Sequence, residues 1–155
     1  HHETTRLMLE ELLAMNLTGK KVLDMGCGTA VLAILASMKG ASPVTAIDID
    51  EWAYRNALEN VQLNNIPAIR VEQGGAELLD GEETYDLVLA NINRNVLLDD
   101  MGAYARVLNK GGYLVISGFY QEDIPLLRDK AEEVGLIYQH MAHKQEWAAV
   151  SFCRK

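Results

Sequence analysis

Val22-Leu23-Asp24-Met25-Gly26-Cys27-Gly28-Thr29-Ala30 is the stretch from which the architecture of this chain can be worked out. It begins as a short apolar strand, turns at two closely spaced glycines and continues into a helical pattern. Glycine lets the backbone turn sharply and lets a ligand approach it with no side chain between them. The helix that follows points its free amide groups and the positive end of its dipole at the same place. Such a turn also occurs without a ligand, so other segments must separate a binding loop from a plain turn.

Around this stretch, short apolar runs alternate with longer amphipathic runs. We predict parallel strands at Lys21–Met25, Val44–Asp48, Ile69–Glu72, Tyr85–Asn91 and Tyr113–Ser117, and helices at His1–Leu12, Ala30–Met38, Glu51–Leu63, Val96–Leu108 and Ile124–Val134. We also predict a turn at Asn109–Gly112 and a C-terminal antiparallel hairpin formed by Leu136–His143 and Glu146–Arg154. This order predicts an α/β fold, an open and mostly parallel sheet with helices on both faces. Sheets of this kind bind ligands at the carboxyl ends of their strands.

Length and charge narrow the possible functions. The 155 residues are enough for one domain, and 22 acidic against 14 basic side chains give a net charge of −8. An acidic body disfavours direct binding to a nucleic-acid backbone and suits a cationic substrate or partner. The longest strongly apolar run, Ala30–Ala36, is far shorter than the ~20 residues that cross a bilayer. Cys27 and Cys153 form neither a CxxC pair nor the disulfide framework of a secreted protein, so we expect a cytoplasmic protein. From the charge and the short apolar runs we expect no direct nucleic-acid partner and no membrane partner.

Two acidic residues indicate which kind of ligand the glycine loop would bind. Val31 breaks the G-x-G-x-x-G pattern of dinucleotide-binding dehydrogenases, and the phosphate-binding G-x-x-x-x-G-K-[ST] pattern is absent. Asp24, just before the first glycine, would repel a pyrophosphate and suits a ligand with positive charge. Asp48 ends the next strand 20 residues after Gly28, the spacing at which an acid reaches a ribose diol. A nucleoside with a cationic tail and no phosphate describes S-adenosylmethionine.

At this point the chain resembles the class I methyltransferases, whose first motif is an acid followed by G-x-G-x-G or a close variant. Ala30 stands where the third glycine often falls. Four further motifs, taken together, resemble the catalytic domain of the bacterial ribosomal protein L11 methyltransferases. They are His2-Glu3-Thr4-Thr5, Asn91-Ile92, Ser117-Gly118 and Glu146-Trp147. The resemblance covers essentially all 155 residues and implies a Rossmann-like methyltransferase fold with a seven-stranded, mostly parallel sheet.

The resemblance also implies which residues form the site. Family positions that contact the cofactor match Thr5, Gly26, Asp48 and Asn91. With the neighbouring loop residues, the predicted cofactor-binding set is Thr5, Asp24, Gly26, Cys27, Gly28, Asp48, Ile49 and Asn91, and Asn91 is also the predicted catalytic residue. The plain structural alternative for Thr4, Thr5 and Asn91 is helix capping. No metal site is predicted, because His140 and His143 are three residues apart on a strand and point to opposite faces.

The segment after the fourth strand bears on the acceptor. Asn91-Ile92-Asn93-Arg94 lacks the prolines and the aromatic of the N/D-P-P-Y/F/W motif, so it offers no stacking platform for a planar amide or base. An aliphatic amine needs no such platform. Many class I enzymes present an acid to adenine after the third strand, where this chain has Gly74-Gly75-Ala76 and then Glu77. The group that recognises adenine is therefore left unassigned.

The resemblance implies an enzyme that transfers methyl groups from S-adenosylmethionine to amino groups of a large-subunit ribosomal protein. The expected acceptors are lysine side chains and, as a further candidate, an N-terminal amine. We expect residues 1–155 to form a single methyltransferase domain without the N-terminal substrate-recognition domain of the family. Three alternatives stay open: a class I methyltransferase for another protein amine or a small molecule, a non-catalytic nucleoside-binding module, and a nicotinamide dehydrogenase, which Val31 and Asp24 disfavour.

Overall fold

The computed structural model describes residues 2–66 and 68–155, so His1 and Pro67 lie outside the described residues. The first residue of the helix predicted at 1–12 is therefore not described. Within the described part of the chain, seven strands form one sheet. In chain order they are β1 Val22–Met25, β2 Val44–Asp48, β3 Ile69–Gln73, β4 Tyr85–Asn91, β5 Leu108–Tyr120, β6 Leu136–Lys144 and β7 Trp147–Arg154.

The strand order across the sheet is β3-β2-β1-β4-β5-β7-β6. The strands β1 to β5 pair in parallel, whereas β7 runs antiparallel to both β5 and β6. This confirms the predicted α/β fold, a mostly parallel sheet with a C-terminal antiparallel hairpin. The chain turns to opposite sides after β1 and after β4, so the carboxyl ends of these two central strands flank the switch point where such folds bind ligands.

Helices cover both faces of the sheet. In the described residues they are α1 His2–Leu13, α2 Val31–Met38, α3 Glu51–Leu63, α4 Arg94–Val107 and α5 Ile124–Glu133, with short 3-10 helices at Ala76–Leu79 and Gln121–Asp123. Met8, Ala33 and Ala57 bring α1, α2 and α3 into one apolar cluster, while Leu97 and Leu127 bring α4 and α5 into the cluster on the opposite face. Cover on both faces explains why β1 is buried along its whole length. Across residues 2–66 and 68–155, each helix is too short or too polar to cross a bilayer.

The start of α4 differs from the prediction. The helix begins at Arg94, two residues before the predicted start at Val96. The reason is a cap that the apolar periodicity does not reveal, since the side-chain oxygen of Asn93 accepts a hydrogen bond from the amide of Val96 at 3.1 Å. Asn93 therefore closes the loop after β4 and begins the helix directly.

The turn predicted at Asn109–Gly112 is wrong as a separate element. The strand β5 begins at Leu108, and this segment is an irregular part of it. Its pairing with β4 passes from Leu108 opposite Tyr85 straight to Tyr113 opposite Leu87. The extra residues bulge out of the ladder, so glycines that favour a turn are instead accommodated inside a strand.

Lys39 fixes how α1 and α2 lie beside each other. Its Nζ donates hydrogen bonds to the carbonyl oxygens of Leu12, Leu13 and Met15 at 2.7, 2.8 and 2.6 Å. Lys39 follows the last residue of α2, and these carbonyls lie at the end of α1, so the carboxyl ends of the two helices meet. Because the two helices also pack side by side in one apolar cluster, they run in the same direction. The longer α1 then extends about 6 Å further at its amino end. Its first turn accordingly lies at the carboxyl edge of the sheet, on the side of the glycine loop.

Candidate active site

The turn after β1 has the open backbone that its two glycines predict. Gly26 and Gly28 have φ values of 69° and 54°, in the left-handed region that glycine adopts at little steric cost. The amides of Gly26 and Cys27 donate to the carbonyl of Ile47 at 2.8 and 3.0 Å, which ties the turn to β2. A Cβ atom at Gly28 would meet no heavy atom within 4 Å. The turn therefore leaves open space against bare backbone at Gly28.

Ala30 ends this turn in the same left-handed conformation, with a φ of 67°, so α2 begins at Val31 rather than at Ala30 as predicted. This conformation costs alanine roughly 1–2 kcal/mol. We expect Ala30→Gly to change the free energy of unfolding by less than about 0.5 kcal/mol, because relief of that strain offsets the lost methyl group and the extra chain entropy. Ala33→Gly, inside α2, is the matched control and should cost about 1.5–2 kcal/mol. Urea unfolding measures the free energy of unfolding of both variants. If Ala30→Gly and Ala33→Gly lose the same free energy, Ala30 is not strained.

Asp48, at the end of β2, holds two loop amides. Its Oδ2 accepts a hydrogen bond from the amide of Gly28 at 2.9 Å, and its Oδ1 accepts one from the amide of Asp50 at 2.9 Å. Asp50 is the N-cap of α3, as predicted, and accepts from the amide of Trp52 at 3.2 Å. An ionised carboxylate has about four acceptor positions, so each oxygen of Asp48 retains capacity for another donor. The structure therefore brings Asp48 into direct contact with the glycine loop and leaves it able to bind hydroxyl groups.

Asp24, the third residue of β1, is completely buried. Neither carboxylate oxygen has a hydrogen-bond partner of good geometry among the described residues. Burial raises the pKa of this carboxyl to about 7; the Ala33 amide opposes the rise and the charge of Asp48 adds to it. A buried carboxylate without a partner is costly to ionise, and a nearby cation would stabilise its charged form.

Asn91 ends β4 beside the glycine loop. A Cβ atom at Gly26 would lie 3.7 Å from the carbonyl oxygen of Asn91. Asn91 is half-buried, and Asn93, not Asn91, is the N-cap of α4. The side chain of Asn91 therefore does not serve as the helix cap that was its plain structural alternative.

Thr4 and Thr5 lie in the first turn of α1, which already includes His2, so neither precedes the helix as a cap. Thr4 is fully buried and Thr5 is half-buried. Ile49, next to Asp48, is 75% exposed and forms the open flank of the same edge. The predicted cofactor residues thus share one edge of the sheet, with the buried carboxyl of β1 beneath it.

Tyr120 and Trp147 form an aromatic pair that the sequence patterns did not reveal. Tyr120 ends β5, Trp147 begins β7, and the two are register partners in the sheet. Their ring centroids are 4.5 Å apart. Trp147 belongs to a family motif, but nothing near Tyr120 in the sequence signals the pair, because antiparallel strand pairing creates it. Both residues lie at the same edge as Asn91, since β4 and β5 end there.

Glu77 folds back onto its own loop. Its Oε1 accepts a hydrogen bond from the amide of Gly75 at 2.9 Å, and the amides of Gly75 and Glu77 hold the pKa of this carboxyl below its usual value. The preceding amide, of Gly74, donates to the carbonyl of Asp48 at 2.9 Å. The acid nearest to the expected adenine position therefore already has a backbone partner.

Cys27 is a poor candidate for a nucleophile. Burial, together with the charges of Asp24 and Asp48, raises the pKa of its thiol well above the ordinary value, so the thiol stays protonated. His140 lies away from the glycine loop and pairs its Nε2 with Glu11 Oε1 at 2.6 Å, which links β6 to α1. In the part of the chain that the structure describes, no three His, Cys, Asp or Glu side chains are grouped to hold a metal ion.

The sequence matches a known family and curated proteins of that name. The family described as ribosomal protein L11 methyltransferase (PrmA) matches residues 1–155. The ribosomal protein L11 methyltransferase of Bacteroides fragilis is 55% identical over 152 residues, which cover 98% of this chain and 54% of that protein. The protein of the same name from Porphyromonas gingivalis is 56% identical over 152 residues, covering 98% and 52%. This chain spans about half the length of these curated relatives.

Solved structures share the architecture. The crystal structure of a ribosomal protein L11 methylase from Lactobacillus delbrueckii subsp. bulgaricus superposes with a TM-score of 0.92 at 30% identity, covering 100% of this chain and 80% of that one. The magnesium protoporphyrin IX methyltransferase of Synechocystis PCC 6803, solved with bound SAM, has a TM-score of 0.77 at 17% identity, covering 98% and 78%. At that identity the second likeness concerns the fold alone.

Proposed function

Because this chain belongs to the ribosomal protein L11 methyltransferase family, we propose that it transfers methyl groups from S-adenosylmethionine to amino groups of a large-subunit ribosomal protein. The acceptors in this proposal are lysine side chains, with an N-terminal amine as a second candidate. Residues 1–155 act as one methyltransferase domain, and the reaction takes place in the cytoplasm.

The contact between Asp48 and the glycine loop carries this proposal, together with the buried Asp24 beneath the loop, whose carboxylate oxygens have no hydrogen-bond partner of good geometry among the described residues. The open backbone at Gly28 admits a ligand, and the free acceptor positions of Asp48 suit the two hydroxyls of a ribose. An anionic diphosphate would be repelled by the acid beneath the loop, whereas a cationic tail would be stabilised by it. A nucleoside that carries positive charge and no phosphate fits this combination of groups.

S-adenosylmethionine, when bound, supplies a methyl group activated by a positively charged sulfur. The chain's own residues hold it in place. In our proposal Asp48 binds the ribose, Gly26 and Gly28 admit close approach of the backbone, and Asp24 balances the positive charge. Thr5, Cys27 and Ile49 complete the walls of the site.

The acceptor amine has to be neutral before it can attack. A lysine amine has a reference pKa of about 10.4, so about one molecule in a few thousand is neutral at pH 7. In our proposal the carbonyl groups at Asn91 orient the amine, exclusion of water lowers its pKa, and the proton leaves to solvent. Tyr120 and Trp147 offer an apolar wall for the methylene stem of the lysine.

The charge of the protein supports a basic substrate. A net charge of −8 attracts a cationic ribosomal protein and raises its encounter rate at low salt. The segment Asn91-Ile92-Asn93-Arg94 offers no aromatic stacking platform, which argues against a nucleobase or a planar amide as the acceptor.

Two measurements test the proposal in sequence. Calorimetric titration with S-adenosylhomocysteine should show saturable binding that the nicotinamide dinucleotide does not displace. Labelled S-adenosylmethionine should then transfer label to lysines of purified ribosomal protein L11, located by mass spectrometry. No binding at about 1 mM S-adenosylhomocysteine, a free energy weaker than about 4 kcal/mol, would contradict the enzyme assignment. Binding with transfer only to other amines would favour another acceptor, and binding without any transfer would favour a nucleoside-binding module.

A further inference from the structure

Ile92 lies between two glycines that come from different loops of the site. Its Cγ1 would be 2.7 Å from a Cβ atom at Gly26, in the turn after β1. Its carbonyl oxygen would be 2.5 Å from a Cβ atom at Gly118, near the end of β5. Both distances are too short for a real Cβ atom, and both glycines have positive φ values, 69° and 102°. Ile92 therefore occupies the space that two side chains would otherwise fill.

The backbone around Ile92 is held from both sides. Its amide donates to the carbonyl of Ser117 at 3.0 Å, and the hydroxyl of Ser117 donates to the carbonyl of Ala148 at 2.7 Å. Two residues further on, Arg94 donates to Asp123 Oδ1 at 3.0 Å, and the Asp123 side chain is only 12% exposed. The segment after β4 therefore cannot shift without breaking contacts to β5 and to the loop before α5.

We infer that Ile92 is a positioning residue for methyl transfer, a wedge that sets the gap between the glycine loop and Asn91. The inference rests on the proposed function, in which the loop holds the methyl donor and Asn91 orients the acceptor. Transfer needs the reacting atoms about 3–3.5 Å apart and aligned, and a misplacement of about 1 Å can cost about 100-fold in rate. A side chain packed against the loop at Gly26, on a backbone fixed at Ser117, keeps that distance constant.

The first test separates positioning from general packing. Ile92→Ala should lower kcat about 30-fold and change the Kd for S-adenosylhomocysteine by less than about threefold, because the groups that bind the donor are untouched. Ile92→Val, which retains Cγ1, should lose only about threefold in kcat. Val107→Ala is the matched control, since it truncates a side chain in the same apolar cluster at the far end of α4. It should lower the unfolding midpoint and leave kcat unchanged.

The second test uses the different atoms through which Ile92 meets the two glycines. Gly26→Ala should weaken S-adenosylhomocysteine binding about tenfold or more, and adding Ile92→Ala should restore at least about threefold of it by removing Cγ1. Gly118→Ala collides with the backbone oxygen, carbon and nitrogen of Ile92. Adding Ile92→Ala to Gly118→Ala should not restore S-adenosylhomocysteine binding, because alanine keeps the same backbone atoms.

The outcomes separate this inference from the proposed function. If Ile92→Ala transfers methyl groups as fast as the unmodified chain, the wedge inference is wrong although the methyltransferase assignment stands. The same conclusion follows if adding Ile92→Ala restores S-adenosylhomocysteine binding equally in Gly26→Ala and Gly118→Ala, or in neither. If the unmodified chain binds no S-adenosylhomocysteine, the proposed function is overturned and this inference falls with it. Loss of kcat with selective restoration at Gly26 supports the wedge.

Discussion

Asp24→Asn is expected to make the ligand-free protein more stable above pH 7. Burial raises the pKa of Asp24 from 3.8 to about 7, so the folded protein keeps a proton on this carboxyl where the unfolded chain has already lost it. The free energy of unfolding therefore falls as the pH rises through this window, by about 1.4 kcal/mol per pH unit and about 4 kcal/mol in all. Asparagine carries no charge and avoids that cost.

Urea unfolding at several pH values measures this effect. The stability advantage of Asp24→Asn should grow by about 3 kcal/mol between pH 4.5 and pH 8. Asp86→Asn is the control of opposite sign, because the Lys21 amide lowers the pKa of Asp86. That carboxylate stabilises the fold above its unfolded pKa, so its variant should be the less stable protein at pH 8 and approach the unmodified chain in acid. An advantage of Asp24→Asn that does not change with pH would contradict the account from ionisation.

The same substitution should weaken the binding of S-adenosylmethionine. In the unmodified chain we expect affinity to rise between pH 6 and pH 8, because a cationic ligand prefers the ionised form of Asp24. Asp24→Asn should flatten this rise and lose about tenfold or more in affinity at pH 8. S-adenosylhomocysteine, which has no sulfonium charge, should lose less. Equal losses for the two ligands would show that Asp24 does not act on the sulfonium.

Asp48→Ala is expected to weaken S-adenosylhomocysteine binding by about 100-fold or more. Hydrogen bonds to a charged group contribute about 1.5–3 kcal/mol each, and the proposed ribose contact makes two. The change also leaves the amides of Gly28 and Asp50 without their carboxylate partner, so the loop loses its support as well. Calorimetric titration gives the affinity directly.

Two further variants check the cause. Asp48→Asn keeps the shape but has a single side-chain oxygen, so we expect an intermediate loss of about tenfold. Asp50→Ala, at the neighbouring acid, removes only the cap of α3 and should cost about 1 kcal/mol in stability with less than about threefold change in affinity. Binding by Asp48→Ala as tight as that of the unmodified chain would remove Asp48 from the ligand site.

Several elements could be located from local patterns with no error in their bounds. The strands Val44–Asp48 and Tyr85–Asn91 and the helix Glu51–Leu63 are observed as predicted. Continuous apolar runs define the two strands, and Asp50 supplies a cap whose geometry depends only on the next two residues. Where a boundary depends on a bulge in the ladder, as in β5, the local pattern indicated a turn and was wrong.

The candidate site, too, could be predicted from the sequence only in part. The glycine loop and Asp48 could be predicted from the sequence. The loop follows one parallel strand and Asp48 ends the next, and the carboxyl ends of neighbouring parallel strands lie at the same edge of the sheet. The contact of Tyr120 with Trp147 could not, since these residues are far apart in the chain and meet only through the register of β5 and β7. The wedge at Ile92 depends on two loops at once and has no local signature.

The linear chain was thus enough for the order of strands and helices and for the positions of Asp24 and Asp48 near the carboxyl edge of the sheet, where we propose that the ligand binds. Apolar periodicity, glycine freedom and capping act over a few residues and can be recognised locally. Three-dimensional packing alone settled that the carboxylate oxygens of Asp24 have no hydrogen-bond partner of good geometry in the described residues, that Ile92 fits between Gly26 and Gly118, and that α1 brings its first turn to the same edge. Those features depend on strand order, register and helix direction, which arise when distant segments exclude water together.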